Sequence, residues 1–115
     1  FYKKCKINIF MSYIYVIGTE NQVKIGFSKT PEKRLKQLQT GNMNKLQLFY
    51  KEEVQDSKVR IIEHLIHRDL RDKKTRGEWF NISPQDAISH LQFAKIRYDS
   101  DDDLEFYWKH GLRII

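Results

Sequence analysis

YIYVIG, residues 13–18, and VKIGF, residues 23–27, decide the fold. Both stretches are rich in aromatic and β-branched side chains, the composition of strands, and the polar break TENQ between them is short enough to be a turn. Together they predict a β-hairpin. Working outward, Thr30 suits a helix N-cap and Pro31 the first helical position, while Leu35 and Leu38 supply a narrow apolar stripe that Gly41 ends. A helix over about 31–40 follows. LQLFYKEEV, residues 46–54, lies between Gly41-Asn42 and Asp56-Ser57 and reads as a third strand. From 57 to about 73, Val59, Ile62, Leu65, Ile66 and Leu70 recur at three- and four-residue intervals, which predicts an amphipathic helix. After the polar break KKTRG comes Glu78-Trp79-Phe80, and then Ser83, Pro84 and Asp86 form a Ser-x-x-Asp capping box for a last helix reaching about residue 98. The order strand, strand, helix, strand, helix, helix predicts an α+β fold, a small three-stranded antiparallel sheet flanked by helices.

With 115 residues, 40% apolar and 31% charged, the chain has material for one core and a charged coat, so a single domain over 12–98 is expected. Residues 1–11 read as an N-terminal extension, and 99–115 as an acidic linker with an aromatic tail. No apolar run of bilayer length occurs and the opening segment makes a poor signal peptide, so no membrane contact is expected. One cysteine, Cys5, fits a reducing, intracellular compartment, cytoplasmic or nuclear, and offers no thiolate cluster for zinc. The net charge of +6 is uneven: DSDDDLE, residues 99–105, holds five of the fifteen acids, leaving 19 bases against 10 acids in residues 1–98. An excess of +9 over that stretch attracts polyanions, DNA or RNA above all, although ordinary solubilising charge would look the same.

Tyr13-Ile14-Tyr15, then Lys24-Ile25-Gly26, then Arg34 on the next helix resemble, in that order, the GIY and YIG elements and downstream arginine of the GIY-YIG nuclease superfamily. Glu63, His67 and the Gly77-Glu78-Trp79-Phe80 segment are similar to the later helix and acidic motif of its compact phage and viral members. The similarity spans about 12–90. Tyr13 stands where the family has the glycine of GIY, and Lys24 where it has the first tyrosine of YIG; the branch most resembled also reads Lys-Ile-Gly.

The resemblance implies a metal-dependent DNA endonuclease. Glu78 would hold Mg²⁺ (or Mn²⁺), a cation content with few protein ligands. Arg34 would fork onto the phosphate under attack. Tyr15 would sit by the attacking water, with Lys24 as the local cation favouring its phenolate, and His67 would accept or pass a proton. Residues 13, 15 and 17 share one strand face, as do 24 and 26, so the hairpin can present Tyr15 and Lys24 together. Asn81 would face the phosphate, unless it only serves the turn before Ser83. Lys33, Lys36, Lys73, Lys74 and Arg76 are candidates for DNA-backbone contacts. No small-molecule cofactor is implied. Taken singly, these residues also suit plainer roles: Tyr15 a sheet aromatic, Arg34 and Lys24 solvated charge, His67 a helix-surface histidine paired with Glu63. His64 and His67 lack a third ligand for zinc. The alternatives are a DNA-binding module of the same fold that does not cleave, and a protein-interaction domain using the tail at 104–115.

Overall fold

The computed structural model describes residues 10–99, so the N-terminal extension and the acidic and aromatic tail lie outside the described residues, save for their innermost positions. Strand β1 is Met11–Gly18, β2 Val23–Ser28, helix α1 Pro31–Thr40, β3 Gln47–Gln55 and α2 Asp56–Asp69. A 3-10 turn at Arg71–Lys73 leads into β4 (Lys74–Arg76) and β5 (Trp79–Phe80), and α3 is Pro84–Asp99. The fold is α+β as the sequence predicts, but the antiparallel sheet has five strands and not three, in the order β3-β1-β2-β5-β4. The two added strands are short: β5 pairs with β2 only at Val23↔Phe80 and Lys24↔Trp79. Gly77, at φ 55° in the left-handed region that favours glycine, turns β4 into β5 and so sets where Glu78 emerges.

Strand alternation divides the core in two. Ile14, Val16, Val23, Ile25 and Val54 face the main cluster, where they meet Val59, Ile62, Leu65, Ile66 and Leu70 of the α2 stripe and Ala87, Leu91 and Ala94 of α3. All five residues of the predicted α2 stripe are buried. The opposite face carries Tyr15, Ile17 and Leu46, packed against Leu35 and Leu38 of α1 and against Leu48 and Trp79. Burying one such side chain contributes roughly 1.5–3 kcal/mol. The larger cluster therefore anchors α2 and α3 far more firmly than the smaller one holds α1.

Helix starts follow the sequence in one case and depart from it in the other. Ser83 Oγ accepts the N–H of Asp86 at 3.2 Å, half of the predicted capping box. Thr30 does not cap α1 with its side chain. Its N–H instead donates to Ser28 Oγ at 2.9 Å, and its carbonyl accepts the N–H groups of Lys33 and Arg34, both at 3.1 Å.

At the other end of the sheet, β3 runs into α2 with no residue between them. Asp56 fastens this corner. Its carboxylate accepts Ser12 Oγ at 2.6 Å and Lys29 Nζ at 2.8 Å, its N–H donates to the Phe10 carbonyl at 2.9 Å, and Lys29 also donates to the Met11 carbonyl at 2.8 Å. The Lys29 ammonium, helped by Ser12, holds the Asp56 carboxyl below its usual range.

Candidate active site

The face bearing α1 is where the chemistry collects. Tyr15 pairs with Gly26 and Ile17 with Lys24 across the hairpin, so Tyr15, Lys24 and Gly26 share that face. Gly26 leaves a gap. A Cβ there would stand 2.6 Å from the Tyr15 hydroxyl and 3.1 Å from Glu78 Oε1, both closer than a real side chain tolerates comfortably. Glycine is thus what lets the phenol and the carboxylate meet over the strand. Lys24 Nζ binds Glu78 Oε1 at 2.9 Å and lies 6.0 Å from the Trp79 ring centroid. Arg34, on α1, brings its guanidinium charge to bear on the Tyr15 hydroxyl and directs one N–H to Gln37 Oε1 at 3.2 Å.

From the opposite layer α2 sends Glu63 and His67 over the edge of β2. That edge is open beyond Lys24 because β5 is only two residues long. Ile25 shows how it is closed: its N–H donates to the Glu78 carbonyl at 3.2 Å, and its carbonyl accepts the Nε2–H of His67 at 2.8 Å. The histidine ring stands in for the missing strand residue, and it also packs edge-on against Phe80, centroids 4.9 Å apart.

Electrostatics revise two expected roles. Burial raises the Tyr15 phenol above its ordinary pKa despite the Arg34 guanidinium, which pulls the other way. The cation acting on Tyr15 is Arg34 and not Lys24, which is committed to Glu78. Burial likewise pushes His67 down, against the hydrogen bond to Ile25, so the ring is neutral near pH 7. With Nε2 given to a carbonyl, His67 braces the open edge of the strand, and Nδ1 is the ring nitrogen left to accept a proton. The 3.8 Å separation of Nε2 from Glu63 Oε2 is too long for a hydrogen bond.

Glu63 is the group to which the sequence assigned no chemistry. Its Oε2 is buried without a hydrogen-bond partner, and burial, reinforced by the charge of Glu78, raises its pKa to about 7 against the pull of Lys24 and Arg60. A signal was present in the sequence: Glu63 and His67 sit one turn apart on the polar side of α2, but only the packing shows that this side is covered. A carboxyl raised on folding stabilises the fold fully below about pH 4.5, and that contribution is lost as pH rises through about 7. Glu63→Gln is therefore expected to be more stable than the parent at pH 8, by on the order of 1 to 2 kcal/mol after allowing for partial exposure, and equal to it at pH 4. Urea midpoints at the two pH values check this; a parent at least as stable as the variant at pH 8 would rule out the strained carboxyl.

The remaining candidates are peripheral. Lys33 and Lys36 lie exposed on α1, and Lys73, Lys74 and Arg76 are exposed on the 3-10 turn and β4. Asn81 is exposed past β5, its N–H donating to the Lys73 carbonyl at 2.7 Å, and it stands beside that lysine and not in the cluster. Among the described residues no group of three or more His, Cys, Asp or Glu side chains could hold a metal, His64 and His67 included. No helix among them is long and apolar enough to cross a membrane.

A family model described as the T5orf172 domain matches residues 12–101. The chain belongs to the T5orf172 domain family. That family is phage-associated, made of DNA-binding and nuclease-like domains related to GIY-YIG-like folds. Comparison with curated proteins and with solved structures found no match. In this T5orf172 domain the matched span takes in every strand and helix described above from Ser12 onward, together with all the clustered side chains.

Proposed function

We propose that this T5orf172 domain is a DNA endonuclease of the GIY-YIG type that hydrolyses a phosphodiester bond with the help of Mg²⁺ or Mn²⁺. The observation that carries the proposal is the meeting of the Tyr15 hydroxyl and Glu78 over Gly26, with the Arg34 guanidinium acting on the same phenol, since cleavage needs a cationic fork, a polar group for the water and a carboxylate in one place. The donor set fits a hard divalent cation. Glu78 and Glu63 offer oxygens only, one oxygen of Glu63 is buried without a partner, and the charge of Glu78 adds to the cost of ionising Glu63, a cost that a nearby cation would offset. When bound, such a cation polarises the phosphate and acidifies a water molecule.

The chain's own groups supply the rest. Arg34 spans two phosphate oxygens and stabilises the charge that builds on them. Tyr15 keeps its proton and hydrogen-bonds the phosphate or the water, which gives it an orienting role where the sequence implied a base. Lys24 fixes the Glu78 carboxylate and brings positive charge to the same spot. Lys33, Lys36, Lys73, Lys74 and Arg76 grip the backbone without reading sequence, which makes DNA binding steeply salt-dependent.

One observation favours a module that binds DNA without cleaving it: Lys24 Nζ already occupies Glu78 Oε1 at 2.9 Å, where a metal would compete. Supercoiled plasmid separates the two. Nicking is expected with Mg²⁺ or Mn²⁺ and none with a chelator. Tight, salt-sensitive binding with intact plasmid under both metals would decide for the non-cleaving module.

A further inference from the structure

Next to the cluster is a recess of about 390 Å³ lined by Gln22, Asn42, Thr75, Arg76 and Trp79. Trp79 is shared ground: it pairs with Lys24 across β2 and β5, and Lys24 binds Glu78. Whatever enters the recess is therefore one side chain away from the proposed phosphate position. We infer that the recess holds a single unpaired nucleobase of the DNA strand whose phosphate lies at Arg34 and Glu78, with Trp79 as its stacking surface. The inference rests on the DNA reading above and names the part of the substrate that this face would recognise.

The lining matches a base better than other groups of that size. The volume lies at the small end of ligand pockets, right for one ring system and not for a peptide segment. A base has a π-face and an edge that mixes donors with acceptors, and the recess offers an indole together with two amides. Those amides are available. Gln22 makes no side-chain hydrogen bond among the described residues, so both ends of its amide are open. Asn42 accepts the N–H of Asn44 at its Oδ1, 2.9 Å away, which leaves its NH₂ to donate outward. Arg76 is exposed and unpaired among the described residues, positioned to meet an adjoining phosphate.

The wall is also preordered, so little entropy is lost when it is used. Gln39 donates to the carbonyls of Asn42 at 3.2 Å and Asn44 at 2.8 Å and accepts the Leu46 N–H at 2.7 Å, which pins the loop carrying Asn42. Across from it Thr19 receives the N–H of Gln22 at 3.3 Å and closes the β1–β2 turn. Met43, next in that pinned loop, is fully exposed at 101%. An apolar side chain held out in that way is the kind that wedges into a stack when a neighbouring base leaves it. Because extrusion costs a few kcal/mol, the recess favours single strands, mismatches or nicks over perfect duplex.

The test uses the full chain carrying Trp108→Phe, which leaves Trp79 as the one tryptophan of the two in the sequence. Two probes are titrated: a short single-stranded oligonucleotide, and the same backbone with abasic sites in place of its bases. The natural oligonucleotide is expected to quench Trp79 emission and to bind roughly tenfold more tightly than the abasic one, toward the low end of what a stacked base contributes. Gln22→Ala with Asn42→Ala is expected to remove a large part of that preference while leaving abasic binding unchanged. Equal binding of the two probes, or a double variant that keeps the full preference, would overturn the base site. If both probes bind equally and salt-dependently, the phosphate-binding proposal stands without the base site; if neither binds, both fall.

Discussion

Arg34→Lys is expected to slow plasmid nicking in Mg²⁺ by about 10²- to 10³-fold, the loss seen when one preorganised donor to a developing negative charge is removed. A lysine keeps the positive charge but is a point donor, and it cannot span two phosphate oxygens as a planar guanidinium does. Arg34 is well placed to do so, being half-buried on α1 with its charge acting on the Tyr15 hydroxyl and one N–H turned to Gln37 at 3.2 Å. Since the charge is conserved, DNA affinity at fixed salt should change little. Single-turnover nicking measured beside a binding isotherm separates the two effects. A lysine variant that nicks within about threefold of the parent would remove Arg34 from the chemistry, because a lost fork costs far more.

Glu78→Gln should cost about 10²-fold or more in the same assay, because an amide keeps an oxygen for Lys24 but has no charge with which to hold a cation. The glutamine is preferable to alanine here. Lys24 is 8% exposed, and truncating Glu78 would leave its ammonium nearly buried without a partner, so lost folding could pass for lost activity. A second readout is available. The charge of Glu78 helps to raise Glu63, so Glu78→Gln should lower the Glu63 pKa and shift the pH dependence of stability toward acid. Wild-type nicking by a folded Glu78→Gln chain would leave that carboxylate without a role in cleavage.

Much of the main layer was legible in the sequence because it is written in local periodicity. Val59, Ile62, Leu65, Ile66 and Leu70 mark α2 by spacing alone, and YIYVIG with VKIGF mark the hairpin. β4 was not legible: Lys74, Thr75 and Arg76 are all exposed, show no alternation, and are extended because β5 lies beside them. β5, at two residues, is too short for any pattern. Of the site, the residue types and their order were visible, and the structure brings Tyr15, Lys24, Arg34 and Glu78 together. The pairing of charges was hidden, since it depends on register. Tyr15 lies opposite Gly26, which has no side chain, so its neighbour is Arg34 from the overlying helix, while Lys24 is left to Glu78. The strain on Glu63 was equally invisible, because burial belongs to the tertiary fold and not to the helix wheel.

The loopless corner at Asp56 gives the site a fixed jaw. Glu63 and His67 ride on a helix welded to the sheet by Ser12, Lys29 and the Phe10 carbonyl, with no hinge residue to let it swing. Arg34 rides on a ten-residue helix over the smaller cluster, while Glu78 is tied to the sheet by Lys24 and by the N–H of Ile25. Anything that docks at this face therefore meets carboxylate and imidazole groups that stay where folding put them.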